Sequence, residues 1–242
     1  MCGRFCLTHA PEEVSQRFDV ALPEEFPARY NIAPSQPVLV VIGGSEDRPE
    51  AWQAGRQALL ARWGLIPAWT RDVASMPLLF NARSETAAVR NAFRPALTHR
   101  RCIVPASGFY EWHKQGTGKS IPYFVRPTDR QVFGFAAIME TYLAPDGSEI
   151  DTVAILTRAA AGPLADIHPR EPVTLRRNTE QLWLDCRHVA PDALQRVFED
   201  AEGMDWQIDA ISDRVNSAAD MSPDIQRPRP TPEPPAQGRL AF

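Results

Sequence analysis

Seven short runs set the limits on what this chain can fold into: PVLVVI (37–42), ALLARWG (58–64), RCIVP (101–105), GFYEW (108–112), PYFVR (122–126), VFGFAAIME (132–140) and DTVAILT (151–157). Each is rich in β-branched and aromatic residues and is bounded by Gly, Pro or Asp, the pattern of strands cut by turns. Helical periodicity is scarcer. Thr8 is placed to cap a helix over 10–19, with Val14 and Phe18 one turn apart on its apolar face. Further helices are expected over 84–92, 178–186 and 191–200, with Asn178 and Gln181 as a capping box and Pro191 in a first turn. Strands outnumber helices and do not alternate with them. The expected class is therefore α+β: a single compact domain with a mostly antiparallel sheet or partly closed barrel and peripheral helices. The last 21 residues hold six prolines, so a domain over 2–221 is expected to end in a Pro-rich disordered tail over 222–242.

No apolar run approaches the roughly 18 residues of a membrane helix. Arg4 and the polar stretch from Thr8 to Arg17 interrupt any signal-peptide core, so a cytoplasmic protein is expected, and Cys2, Cys6, Cys102 and Cys186 then read as free thiols. Cys2 and Cys6 with His9, and His99 with Cys102, contain no C-x2-C pair, and no metal or cofactor is expected. The net charge is −4, but residues 1–120 carry 14 Lys/Arg against 11 Asp/Glu, and 81–119 carry seven against two. A local basic face of this kind suits phosphates, although a solvated surface has the same composition.

Cysteine at position 2 is unusual. Loss of Met1 would leave an α-amine and a thiol on adjacent carbons, a 1,2-aminothiol. Three other segments stand out. FNARSET (80–86) places Asn81, Arg83 and Glu85 at alternate positions before a helix. SGFYEWHK (107–114) sets Glu111 among aromatics in a strand, facing either water or an apolar interior that would raise its pKa. ADIHPREP (165–172) puts His168 before a proline in a turn. Each also has an ordinary structural use, as cap, turn or surface residue.

Taken together, MCGRF, RYNIAP (29–34), WGLIPAW (63–69), NARSET (81–86), RCIVPASGFYEW (101–112), DIHPREPV (166–173) and DRVN (213–216) resemble the SOS-response-associated peptidase (SRAP) domain, in order and over nearly the whole chain. The resemblance implies a compact α+β fold with a positively charged DNA channel. It implies a sensor of abasic sites in single-stranded DNA that acts as a monomer and joins its mature N-terminal cysteine covalently to the ring-opened sugar. By that resemblance Cys2 is the nucleophile, Glu111 moves protons, His168 opens the sugar ring or moves protons at the imine, and Asn81 orients the amine or the sugar. Arg4, Arg83 and Arg170 hold phosphates, Pro34 and Trp69 meet the bases beside the lesion, and Thr157 bonds near the sugar. Three positions depart from the family pattern: Thr70, where some members have a second tryptophan; Asn91, where some have an arginine; and Glu171, an acid beside the expected DNA channel. Two other readings use the same residues: a thiol peptidase with Cys2 as N-terminal nucleophile, including removal of Met1, and a non-catalytic DNA-binding module.

Overall fold

The computed structural model describes residues 2–22, 26–43, 55–114, 116, 118–200 and 204–229. Its centre is a ring of five strands: β3 (Pro37–Ile42), β4 (Gln57–Trp63), β10 (Glu149–Ala159), β9 (Phe133–Leu143) and β6 (Arg101–Ala106). β3 pairs antiparallel with β4 and with β6, β6 with β9, and β9 with β10; β10 then meets β4 in parallel at Thr152 and Val153. The ring closes on itself and leaves its strands no free edges there. β10 is eleven residues long, and its second half outruns the ring. There it pairs in parallel with β5 (Asn81–Arg83) and antiparallel with β11 (Arg170–Pro172). Short β12 (Thr174–Leu175) joins β9.

A second, antiparallel sheet runs β13 (Trp206–Ala210), β8 (Ile121–Pro127), β7 (Gly108–His113), β1 (Phe5–Leu7) and β2 (Arg29–Ile32). Phe5 and Phe109 on its inner face meet Trp63 and Phe135 of the barrel edge-on, with centroids 5.1 to 6.1 Å apart. Its outer face is covered as well. Cys6, Tyr110 and Phe124 pack there against Ile211, Val215 and Ile225.

The chain's seven apolar runs all become strands, with ends shifted by a few residues. The helices differ more. α1 (Pro11–Phe18) buries Val14 and Phe18 as expected, but its cap position is Ala10 rather than Thr8. Proline at the first turn fixes the start, and the Glu13 carboxylate accepts from the Ala10 N–H. Phe18 reaches Gly134 of β9, where a Cβ would stand 2.3 Å from Ile103 and 3.2 Å from the Phe18 ring. The expected helix over 84–92 shrinks to α2 (Ser84–Ala87). Only Ala87 of that helix is buried, and Val89 lies 75% exposed, so no apolar face sustains a longer one. α3 (Arg94–His99) follows. α4 (Arg177–Leu184) is capped at Arg176 with no side-chain bond, so the Asn178–Gln181 capping box does not form. Residues 191–200 split into a 3-10 turn at Pro191–Leu194 and α5 (Gln195–Asp200).

The ordered chain runs past Ser222. Ile225 is fully buried, the Gln226 amide donates to the Tyr110 hydroxyl at 2.8 Å, and Arg229 pairs with Asp213. The expected disordered tail thus begins with residues tied to the fold at Ile225, Gln226 and Arg229; the rest of it, 230–242, lies outside the described residues. Among the described residues no helix is long and apolar enough to cross a membrane.

Candidate active site at the amino terminus

Cys2 precedes β1 and is fully buried, its thiol 3.9 Å from the Arg4 carbonyl. Burial pushes the thiol well above its usual pKa, and the neighbouring Glu111 carboxylate adds to the shift. The sulfur is therefore held as S–H. All four cysteines are free.

Glu111 faces inward, only 3% exposed. Both faces of β7 are covered: Phe109 and Glu111 share the barrel side, while Tyr110 packs in the outer cluster. Strand alternation therefore has no water to offer the carboxyl. Burial lifts its pKa from 4.5 to about 7, against the pull of the positive charge at the chain's amino terminus. Such a group exists in both protonation states near neutral pH.

Asn81 opens β5 beside Ile155 of β10. Its Nδ2 donates to the Cys2 carbonyl at 2.8 Å, and its buried Oδ1 has no hydrogen-bond partner among the described residues. His168 sits half-buried just before β11. The Arg170 backbone N–H donates to its Nδ1 at 3.0 Å. Burial lowers its pKa, the hydrogen bond with the Arg170 main chain opposes that, and the positive charges of the amino terminus, Lys114 and Arg170 add to the lowering. Asn81, Glu111 and His168 thus converge on the amino-terminal segment from three different strands or strand ends.

The remaining expected site residues divide. Arg83 is exposed, with no hydrogen bond or ion pair among the described residues. Trp69 is 59% exposed in a turn, and Pro34 is half-buried in the turn between β2 and β3. Arg4 is committed inside the protein: it donates to Asn31 Oδ1 at 2.7 Å and to the Val215 carbonyl at 2.8 Å. Arg170 donates to both Glu85 oxygens, at 2.5 and 2.9 Å, and to the carbonyl and hydroxyl of buried Thr157. The basic stretch is thinner at the surface than in the sequence. Arg101 is buried, donating to the carbonyls of Leu97, Trp183, Asp185 and Val189. Arg100 is paired with Glu140 and Asp151, and Lys119 with Asp213. Arg83, Arg90, Arg94 and Lys114 remain exposed.

The departures resolve in the same way. Thr70 points inward at 7% exposure, leaving Trp69 as the exposed ring of that turn. Asn91 is exposed beside Arg90. Glu171 is buried against Arg158 at 2.6 Å and turns away from Arg170. Sequence reasoning missed Asn31. Its side chain is fully buried, accepts from Arg4 and donates to the Ser217 and Asp220 carbonyls at 2.9 Å. The signal was a polar amide inside the apolar strand YNI. Trp112 of the EW block donates to Asn216 of the DRVN block at 2.8 Å, which brings two separate sequence motifs together. Among the described residues no group of three His, Cys, Asp or Glu side chains is placed to hold a metal ion.

Known proteins resemble this chain over most of its length. The family described as SOS response associated peptidase (SRAP) matches residues 1–218. The abasic site processing protein YoqW of Bacillus subtilis is 35% identical over 229 residues, covering 93% of this chain and 98% of its own. YedK of Escherichia coli, also named an abasic site processing protein, is 33% identical over 76% of this chain and 79% of its own. The mouse protein HMCES, which carries the same description, is 26% identical over 94% of this chain and 76% of its own. A crystal structure from Bacteroides thetaiotaomicron superposes with a TM-score of 0.78 at 21% identity, covering 94% of this chain and all of that one. One from Bordetella bronchiseptica gives 0.72 at 27% identity, covering 87% and 100%. The chain belongs to the SOS response associated peptidase (SRAP) family.

Proposed function

We propose that this protein captures abasic sites in single-stranded DNA by a covalent bond through Cys2, once Met1 has been removed. The observation that carries the reading is the pairing of the Cys2 carbonyl with Asn81 beside a buried Glu111 titrating near pH 7. The names of the relatives, abasic site processing proteins, support the substrate.

The chemistry follows from the protonation states. An abasic sugar is partly an open aldehyde at C1′. The Cys2 thiol is held neutral, so the α-amine attacks first, with an ordinary pKa of roughly 7.7–8.0. Glu111 as carboxylate takes the proton that the amine must shed. The nitrogen bonds to C1′ and the aldehyde oxygen becomes a hydroxyl. Glu111 as acid then returns a proton, and water leaves to give the imine. The thiol adds to C1′, its proton passing to the imine nitrogen, and a five-membered thiazolidine closes with one water released overall. Ring closure between groups on one residue has an effective molarity on the order of 10⁵ M or more. His168 donates to the sugar oxygen as the furanose opens. Asn81 Oδ1 serves as acceptor for the amine. Arg83 takes phosphate, and Trp69 and Pro34 offer a stacking surface to neighbouring bases. The protein acts as a monomer without metal or cofactor.

The test is a denaturing gel of the protein with an oligonucleotide carrying one abasic site, beside Cys2→Ala, with intact mass to verify loss of Met1. A shifted band that survives denaturation without borohydride and vanishes in Cys2→Ala is expected. Absence of a band with mature Cys2 verified would overturn the reading.

A further inference from the structure

We propose that the Tyr123 ring is a stacking platform for the nucleobase next to the abasic sugar, on the flank of Cys2 away from Pro34. This rests on the abasic-site reading of the Cys2 site.

The position follows from the register of the second sheet. β1 lies along β7 with Phe5 opposite Phe109, and the Tyr110 N–H donates to the Arg4 carbonyl at 3.0 Å. Cys2 thereby comes level with Glu111. On one flank stands β2, with Ile32 opposite Phe5 and Pro34 two residues on. On the other flank, beyond β7, stands β8, and its Tyr123 is the residue directly opposite Glu111. Residues so paired share a face of the sheet, with Cβ atoms about 5 Å apart. The neighbours of Tyr123 fix which face this is. Phe124 packs in the outer cluster and Val125 in the core on the barrel side, so Tyr123 turns to the barrel side with Glu111. In strand order Pro34, Cys2, Glu111 and Tyr123 follow one another across the sheet, with the reactive residue between the two outer ones.

Tyr123 is also the tyrosine with ring surface left to offer. Tyr110 is buried and donates to the Tyr30 carbonyl at 2.6 Å, Tyr30 packs against the outer cluster, and Tyr142 is buried. Tyr123 is half-buried. Across from it on β13 stands Ala210, whose single methyl group covers little of a ring. His113, two residues beyond Glu111 on the same face, meets the Tyr123 ring edge-on, with centroids 6.5 Å apart and planes at 89°. Such an edge contact sets the orientation of the ring. The same rim carries charge. Lys114 is exposed directly after β7, and its positive charge acts on His168. Tyr123 thus lies two strands from Cys2, about 10 Å, with a cation beside it. An aromatic face next to a cation suits single-stranded DNA: the ring takes a base of any identity and the cation takes its phosphate.

The experiment compares wild type with Tyr123→Phe, Tyr123→Leu and Tyr123→Ala, each checked for folding by melting temperature. Leucine keeps apolar volume in the sheet but has no π face. The DNA is a single strand with a tetrahydrofuran abasic analogue, which cannot open to an aldehyde. It is used with both neighbouring bases present, with the 5′ one absent, and with the 3′ one absent. Fluorescence anisotropy gives the affinities. On the complete strand Tyr123→Phe should stay within about twofold of wild type, while Tyr123→Leu and Tyr123→Ala bind more weakly by about 5- to 150-fold. Removing one of the two bases should cost wild type a similar factor and cost Tyr123→Leu nothing further. Removing the other should cost all the proteins alike. Unaltered affinity in folded Tyr123→Leu overturns the proposal. So do losses that multiply at both neighbouring positions, which would make the effect one of the sheet rather than of a stacked base. The base removals also stand without any variant: a wild type indifferent to both overturns the proposal as well. An adduct on natural abasic DNA without this coupling leaves covalent capture standing and removes the platform. Coupling in a wild type that forms no adduct does the reverse.

Discussion

The side-chain amide of Asn81 donates to the carbonyl of Cys2 at 2.8 Å across 79 positions of sequence. It fixes the peptide that follows Cys2, and so, on the proposed reading, the direction in which amine and thiol emerge. Asn81→Ala removes that hold and the neighbouring Oδ1 acceptor. The limiting capture rate should fall by about 10- to 100-fold, with affinity for the tetrahydrofuran analogue within about twofold. Rapid-quench kinetics at saturating abasic DNA reads the first quantity, and fluorescence anisotropy the second.

Glu111 ties stability to pH. Its folded pKa is raised by burial, to about 7 from 4.5. Between these values the folded state holds a proton that the unfolded chain has released. Stability due to this group is therefore fully present below about pH 4.5, is lost as pH rises to about 7, and is level above. The loss amounts to at most about 3 kcal/mol. Glu111→Gln cannot release a proton, so its stability relative to wild type should improve between pH 5 and pH 8. Urea unfolding of both proteins at the two pH values measures the difference.

The same substitution removes the group to which the proposed function assigns proton transfer in both directions. Glu111→Gln should slow formation and release of the adduct together, by roughly 10²- to 10⁴-fold. Equal rates in variant and wild type, followed by gel at pH 7, would remove Glu111 from the mechanism.

Arg83 is exposed beside the site and lacks a partner among the described residues. Arg83→Gln should weaken non-covalent binding of single-stranded DNA at low salt. The slope of log K against log salt should become shallower by about 0.7, the share of a single neutralised phosphate. A salt titration by anisotropy checks it; an unchanged slope would free Arg83 from any phosphate role.

Glu180 is fully buried on α4 and is met by Arg17 at 2.6 Å and Arg56 at 2.8 Å. Glu180→Ala leaves two largely covered cations facing each other. The cost should be about 3 kcal/mol, seen as a lower urea midpoint, while the capture rate well below the melting temperature stays at the wild-type value.

Much of the architecture was legible because both strand faces are apolar. PVLVVI, RCIVP and VFGFAAIME read as strands for that reason, and all become strands of the barrel. The three-residue strands at Phe5, Asn81 and Arg170 were not legible. They are too short to show a period, and they exist because β7 and the second half of β10 offer them edges to pair with. At the site, the residue types of Cys2, Asn81, Glu111 and His168 marked them, and the structure brings them to one place. Charge was less informative. Arg101 and Arg83 look alike in sequence, yet one serves carbonyls in the interior and the other faces solvent. Only the tertiary partners distinguish them, and the same holds for Arg4 and Arg170. Glu85 stands out in the sequence beside Asn81 and Arg83, but its partner Arg170, 85 positions away, does not show there.

Arg4 and Asn31 clasp the segment from Val215 to Asp220, and Arg4 does so across 211 positions. Bonds between groups so distant along the chain carry a large loop-closure penalty and form late. During synthesis the start of the chain emerges long before the residues that hold it. Until they arrive, the strand following Cys2 lacks its clasp and Trp112 lacks Asn216. The amino-terminal strand is thus held in place only once the chain is complete to about residue 220, and a chain cut short of Val215 loses that hold.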